Sequence, residues 1–129
     1  MPVTLVSVLK GRTSAEKHAL MEAVQGAIAA TLALPAHDRN LRLAEHGPDE
    51  WLLPEGRSER YVLVEIALFE GRTPETKGAL YAAIVAALGA LGVDKGDVFI
   101  RIVEQPRENF GIRGGQRADL VQLGYQVVV

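Results

Sequence analysis

The stretch Lys10-Gly11-Arg12-Thr13 returns sixty residues later as Glu70-Gly71-Arg72-Thr73, and this recurrence is the strongest indication of the fold. A second stretch, residues 38–45, aligns with residues 97–104, with an Asp, an Arg and a Glu at matching places. Matches in the same order, with one residue of slippage, predict that the 129-residue chain contains two copies of one unit of about 60 residues.

The first unit is predicted to form a strand, a helix and a second strand. Residues 3–9 are rich in Val and Leu, as in a buried strand. Thr13 followed by Glu16 has the spacing of a capping box, which opens a helix. Apolar residues then recur at spacings of three and four as far as Pro35, so we expect a helix from about residue 14 to residue 34.

The second unit repeats this order. Residues 61–69 have a strand-like pattern, and Thr73 is placed to cap the helix that follows. Apolar residues predict a helix core face that extends to Leu91, before Gly92 ends the helix. Residues 98–103 then form the returning strand.

These units predict an α/β fold in which two β-α-β units form a four-stranded, mostly parallel sheet with both helices on one face. We expect a single domain over residues 1–129, made of repeats at about 1–46 and 60–115 joined by a loop at 47–59. The apolar run at 123–129 is predicted to be a C-terminal strand that pairs with a neighbouring subunit, because a free apolar edge promotes aggregation.

Composition narrows the functional classes. The formal net charge of −2 disfavours a nucleic-acid partner, since such proteins usually carry a basic excess. The chain has no Cys, and His18, His37 and His46 lack the spacing of metal ligands. The longest uncharged run, residues 78–93, is shorter than the roughly 20 apolar residues that cross a membrane. We therefore expect a cytoplasmic protein with no metal, cofactor or membrane partner.

Several features together resemble the tautomerase superfamily: a Pro directly after Met1, the Gly-Arg-Thr turn, the two β-α-β units and the motif Asn109-Phe110-Gly111-Ile112. The second unit is similar to a 4-oxalocrotonate tautomerase monomer. The fused length and the turn Pro35-Ala36-His37-Asp38-Arg39 are most similar to the malonate semialdehyde decarboxylase branch. This resemblance implies a homotrimer of fused chains that acts on a small carboxylate without a cofactor.

Pro2 is the first candidate catalytic residue. Removal of Met1 would leave a secondary amine. An α-amino group has a reference pKa of about 7.7 to 8, and burial in an apolar site lowers that pKa because it disfavours the charged form. Such an amine can serve as a general base near neutral pH. The alternative is that a Pro in second position only helps a strand to begin.

Arg72 and Arg12 occupy equivalent places in the two units, each between a strand and a helix. A helix N terminus favours anions, and a guanidinium group binds a carboxylate through two hydrogen bonds. The resemblance implies that Arg72 contributes to catalysis and that Arg12 contacts the substrate. The alternative for both is a solvated arginine at a surface turn.

The resemblance also implies roles for Asp38, which would activate water or orient the substrate, and for Phe110, which would form an apolar wall. Asp is also ordinary in turns, and its repeat mate Asp97 supports that alternative. Phe110 has the alternative of ordinary packing. Glu70 stands where the decarboxylase branch usually has the first of two arginines, which argues against classical decarboxylation.

The leading hypothesis is a cofactor-independent tautomerase of a small 2-oxo or enol carboxylic acid, with the amine of Pro2 as general base. Two alternatives stay open. One is a lyase similar to malonate semialdehyde decarboxylase, with decarboxylase or hydratase activity. The other is a non-catalytic trimeric binding protein of the same fold.

Overall fold

The computed structural model describes residues 2–127 and 129, which form two similar β-α-β units. The first comprises β1 (Val3–Leu9), α1 (Ser14–Leu32) and β2 (Leu41–His46). The second comprises β3 (Val62–Phe69), α2 (Pro74–Gly89) and β4 (Val98–Gln105). A small hairpin of β5 (Gly111–Ile112) and β6 (Gln116–Arg117) follows, and short 3-10 turns lie at Pro48–Glu50, Lys95–Asp97, Arg107–Asn109 and Ala118–Leu120.

The four long strands form one mixed sheet in the order β2-β1-β3-β4. Strands are parallel within each unit and antiparallel where β1 meets β3. Both helices pack over one apolar core with the sheet. The predicted fold class, two β-α-β units that share a four-stranded and mostly parallel sheet, is therefore confirmed. Neither helix in the described part of the chain is long and apolar enough to span a membrane.

The helices bury equivalent side chains in the two units. Each side chain of this set is at most 2% exposed and has its partner sixty residues away: Leu20 and Leu80, Val24 and Ile84, Ile28 and Leu88. The spacing of four places each set along one stripe of its helix. Burying an aliphatic side chain of this size stabilises the fold by roughly 1.5 to 3 kcal/mol. The repeat seen in the sequence is therefore also a repeat of core packing.

An ion pair between the helix and the returning strand also occurs in each unit. Lys17 Nζ lies 3.1 Å from Glu45 Oε1, and Lys77 Nζ lies 2.6 Å from Glu104 Oε1. In the sequence the two lysines are 60 residues apart and the two glutamates 59 apart, so both pairs occupy equivalent places in the two units. Partly exposed pairs of this kind contribute only about 0 to 1 kcal/mol to stability. Their main significance is that they show equivalent geometry in the two units.

The structure agrees with the predicted start of α1 and differs from the predicted end of α2. The capping box of α1 is confirmed, because Thr13 Oγ1 accepts from the Glu16 amide at 3.1 Å and Glu16 Oε1 accepts from the Thr13 amide at 2.9 Å. The prediction that Leu91 faces the core is wrong, because this side chain is 39% exposed. Since α2 ends at Gly89, Leu91 lies beyond the helical stripe.

The C-terminal tail forms no strand within this single chain in residues 123–127 and 129. It folds back over the end of β3, where Val127 is 8% exposed and joins a second, smaller core. The carbonyl oxygen of Val129 accepts hydrogen bonds from the hydroxyls of Thr73 at 3.2 Å and Thr76 at 2.7 Å. Residue 128 of the predicted strand lies outside the described residues, and pairing of this segment with a neighbouring subunit stays a prediction.

Candidate active site

Pro2 lies at the end of the sheet where β3 finishes. The antiparallel register pairs Val3 with Ala67, so Pro2 stands beside Leu68, one residue before the end of β3. Pro2 is itself buried. An amine at this position would lose most of its hydration, and this loss favours the neutral form.

Asp38 reaches the same end of the sheet through the turn that precedes β2. The parallel register pairs Thr4 with Leu41, which places this turn beside the start of β1. Gln25 Nε2 donates to the Asp38 carbonyl oxygen at 3.2 Å and ties the turn to α1. Asp38 is 4% exposed, and its Oδ1 atom has no hydrogen-bond partner among the residues that the structure describes. An unsatisfied buried carboxylate oxygen is costly and is typical of a functional position.

The repeat mate Asp97, by contrast, is satisfied by a residue of the loop that joins the two units. Its Oδ1 accepts from the Ser58 amide at 2.9 Å, and its Oδ2 accepts from the Ser58 hydroxyl at 2.6 Å. These two hydrogen bonds hold the pKa of the Asp97 carboxyl below its usual value. The two aspartates therefore have different surroundings. That Asp97 has a structural role does not imply the same role for Asp38.

The contacts of Asp97 predict a specific acid dependence of stability. The pKa of an unfolded Asp is about 3.9 and the folded pKa of Asp97 is lower, so the unfolded chain binds more protons below about pH 4. The stabilisation is therefore complete above about pH 4 and is lost as the pH falls through the folded pKa. In urea unfolding from about pH 6 to about pH 2, the free energy of unfolding should fall more steeply for wild type than for Asp97→Asn, which cannot titrate there.

Asp49→Asn is the control for this experiment, because Asp49 is exposed. Its stability should follow the pH dependence of the wild type. Parallel curves for wild type and Asp97→Asn would contradict the prediction.

Arg72 lies between β3 and α2 and is only 5% exposed. Its Nη1 atom donates to the carbonyl oxygen of Phe69 at 3.3 Å, whereas Nε and Nη2 make no hydrogen bond of normal geometry within the described part of the chain. Burial lowers the pKa of the guanidinium group, while Tyr125, Glu104 and Asp38 nearby raise it. Arginine nevertheless stays charged in proteins. The guanidinium group also hydrogen-bonds the side chain of Tyr125. A buried cation at a helix N terminus, with two donor atoms that lack a hydrogen bond of normal geometry, is suited to hold a carboxylate.

Arg12 lies at the opposite end of the sheet. Its Nη2 atom donates to the carbonyl oxygen of Arg60 at 3.1 Å, just before β3 starts, and the side chain is half-buried. Burial, and then the charge of Arg60, lower the pKa of Arg12. Because β1 and β3 are antiparallel, the whole length of β1 separates this position from Pro2. A single chain therefore does not bring Arg12 to the other predicted site residues, and substrate binding by Arg12 would require a neighbouring chain.

Phe110 packs against the second core, which forms around Phe69 at the end of β3. Its ring centroid lies 4.7 Å from that of Phe69 with an interplanar angle of 85°, a favourable edge-to-face contact. Ala118 and Val127 complete the buried part of this core. The rings form an apolar wall at the end of β3, the end that Pro2 also approaches. Phe69 was not recognised from the sequence, where it is only the last residue of an apolar strand.

Tyr125 is the polar site residue that the sequence analysis misses. Its hydroxyl donates a hydrogen bond to the carboxylate of Asp38 and lies beside the guanidinium group of Arg72. Burial, followed by the charge of Asp38, raises the pKa of Tyr125 to about 12, so the hydroxyl stays protonated near neutral pH. In the sequence this residue begins the last apolar run, and its hydroxyl is the one signal that distinguishes it.

A cavity of about 250 Å³ opens beside Asp38 and Tyr125. Pro35, Ile112 and Leu123 form its apolar walls, and His37 and Arg113 also line it. The cavity is large enough for a small organic acid and combines apolar walls with a carboxylate and a hydroxyl, as ligand sites commonly do.

Comparison with known proteins agrees with this geometry. A family model described as "Tautomerase enzyme" matches residues 38–113, which is more than half of the chain. Probable tautomerase YusQ of Bacillus subtilis (strain 168) is 26% identical over 128 residues, and the match covers 95% of this chain and 100% of that protein.

Solved structures of similar sequence share the whole fold. FG41 malonate semialdehyde decarboxylase, inhibited by 3-bromopropiolate, is 30% identical with a TM-score of 0.83, covering 89% of this chain and 92% of that chain. A fused 4-OT that forms a symmetric trimer is 29% identical with a TM-score of 0.82, covering 91% of this chain and 96% of that chain. The resemblance inferred from the sequence is confirmed. The chain belongs to the tautomerase enzyme family.

Proposed function

We propose that this chain is a cofactor-independent tautomerase that interconverts the enol and keto forms of a small 2-oxo carboxylic acid, with the amine of Pro2 as general base. The observation that carries the proposal is the buried Arg72, whose Nε and Nη2 atoms lack a hydrogen bond of normal geometry and which lies at the same end of the sheet as the buried Pro2. Such an arrangement offers an anion-binding group and a base to one small molecule.

In the proposed reaction the substrate carboxylate binds the two open nitrogen atoms of Arg72. For ketonisation, the neutral amine of Pro2 accepts the proton of the enol hydroxyl and then delivers a proton to the adjacent carbon, which leaves a ketone. The apolar wall of Phe69 and Phe110 keeps water away from the amine and favours its neutral form. General acid–base catalysis of this kind typically contributes about 10²- to 10⁴-fold in rate.

We propose that Asp38 orients the substrate in the same site. Its carboxylate is buried, so it would repel the substrate carboxylate and favour the orientation in which that group binds Arg72. The cavity beside Asp38 has room for the part of the substrate that is remote from its carboxylate.

A second candidate is decarboxylation or hydration of malonate semialdehyde, with protonated Pro2 as the acid and Asp38 handling water. Whole-length similarity to malonate semialdehyde decarboxylases, at 30% and 27% identity, favours it. Glu70 argues against it, since this exposed carboxylate stands where the decarboxylase branch usually has an arginine and would repel the single carboxylate of malonate semialdehyde.

One pair of assays separates the candidates. The purified chain should accelerate the ketonisation of phenylenolpyruvate and should not release acetaldehyde from malonate semialdehyde. If the chain releases acetaldehyde and does not accelerate ketonisation, the decarboxylase becomes the better account. If a folded chain gives neither product, the non-catalytic binding protein becomes the better account.

We also propose that the chain assembles as a homotrimer, as the fused 4-OT relative does. The helices and the core cover one face of the sheet, and alternate residues of β4 point to the other face. On that face Phe99 is 53% exposed and Val103 is 36% exposed. Apolar side chains on an uncovered sheet face are typical of a surface that another chain covers.

A further inference from the structure

Asp38 and Arg72 carry opposite charges in one buried site and yet do not pair. They are 4% and 5% exposed, and Asp38 is close enough to raise the pKa of Arg72. No ion pair joins the two groups in the part of the chain that the structure describes. Opposite charges attract strongly where water is excluded, so their separation requires a physical cause.

The side chain between them is Tyr125. Its hydroxyl donates to the Asp38 carboxylate on one side, where both residues line one cavity, and accepts a hydrogen bond from the Arg72 guanidinium on the other. The ring packs against the second core with Phe69 and Val127. A tyrosine held in this way links the two charged groups through its hydroxyl.

The tail that carries Tyr125 is anchored on both sides of it. Before it, Arg107 Nη2 donates to the carbonyl oxygen of Val121 at 3.0 Å, and Arg113 Nη1 donates to that of Gln122 at 2.9 Å. After it, the carbonyl oxygen of Val129 accepts from the hydroxyls at the start of α2. The position of the tyrosine hydroxyl is therefore set by the fold of the tail.

We propose that Tyr125 is a positioning residue that holds Asp38 away from Arg72 and so leaves two nitrogen atoms of Arg72 open for a substrate carboxylate. This inference rests on the proposed function, because it requires Arg72 to be the carboxylate-binding group. Without the hydroxyl, Asp38 turns toward Arg72 and forms a direct charge-assisted pair that occupies the atoms the substrate needs.

Calorimetric binding of two probes to the full chain tests this inference: 3-phenylpropanoate, an unreactive carboxylate, and its neutral amide. Wild type should bind the carboxylate more tightly than the amide. Tyr125→Phe should weaken the binding of the carboxylate about tenfold and leave the affinity for the amide unchanged. In an Asp38→Asn background the same Tyr125→Phe change should have no effect on the carboxylate, because no carboxylate of the protein is left to compete.

Tyr61→Phe is the control, since Tyr61 is a buried tyrosine at the opposite end of β3. It should leave the binding of both probes unchanged. Phe keeps the ring of Tyr125 in the second core, so thermal melting of Tyr125→Phe should match that of wild type.

The outcomes separate this inference from the proposed function. A wild type that does not prefer the carboxylate would overturn the role of Arg72 and the inference together. A preference that survives Tyr125→Phe would overturn the positioning role alone, as would a loss of equal size in the Asp38→Asn background. The chemistry proposed for Pro2 is tested independently by ketonisation rates.

Discussion

Replacing Pro2 with Ala should lower kcat for the ketonisation of phenylenolpyruvate by about 10²-fold or more. Ala in second position still permits removal of Met1, so the variant keeps an amine but loses the ring that restricts it. A primary amine on a freely rotating residue does not hold its lone pair in one direction beside Leu68 and the Phe69 end of β3. Loss of a positioned general base typically costs about 10²- to 10⁴-fold. The measurement is the decay of enol absorbance under saturating substrate.

Pro54→Ala controls for the effect of removing a proline. Pro54 lies on the exposed loop between the two units, and its replacement should leave kcat unchanged. Equal rates for wild type and Pro2→Ala would contradict the assignment of Pro2 as the base.

Replacing Arg72 with Ala should lower kcat/KM for the same substrate by about 10²-fold or more, mainly through an increase in KM. Two charge-assisted hydrogen bonds to the substrate carboxylate would be lost, each worth about 1.5 to 3 kcal/mol, and each 1.4 kcal/mol is about tenfold in binding. The change also removes one cation from the surroundings of the buried Asp38, which should lower the stability of the site further. Steady-state kinetics with separate kcat and KM values provide the measurement.

Two further variants interpret the Arg72 result. Arg72→Lys keeps the charge and loses the bidentate geometry, so it should recover only part of the affinity. Arg57→Ala, which removes an exposed arginine from the loop between the units, should change kcat/KM by less than about threefold. If Arg72→Ala raises KM no more than Arg57→Ala does, Arg72 is not the carboxylate-binding residue.

The helices and strands could be predicted because they depend on local patterns of apolar and capping residues. The spacing of Leu20, Val24 and Ile28 marks a helix stripe, and Thr13 with Glu16 marks its start, because both depend on residues within a few positions. The ends were less accurate: α1 ends at Leu32 and not at residue 34. The antiparallel contact of β1 with β3 depends on pairing between distant segments, which no local pattern encodes.

That long-range contact also decides which predicted site residues meet. Arg12 and Arg72 are indistinguishable as repeat mates, since each precedes a capped helix. Because the two units join through antiparallel strands, equivalent turns must lie at opposite ends of the sheet. The resemblance therefore predicted both arginines, whereas within one chain only Arg72 lies at the end of the sheet where Pro2 and Asp38 also lie.

Tyr125 was missed for a related reason. Its role depends on how a tail folds back by way of Arg107, Arg113 and the Val129 carbonyl, and these are contacts between residues separated in the sequence. Asp38 and Asp97 likewise look equivalent until Ser58 is seen to satisfy only Asp97. The residue types of the proposed site can be read from the sequence, whereas only the tertiary fold shows which copies lie at the same end of the sheet.

The central claim is that Pro2 works as a free amine, and the intact mass of the protein, purified without an N-terminal tag, tests it most directly. We predict a mass that lacks one methionine and an N-terminal peptide that begins at Pro2. A chain that retains Met1 would contradict the claim, because the nitrogen of Pro2 would then lie in an amide bond and have no basicity for proton transfer.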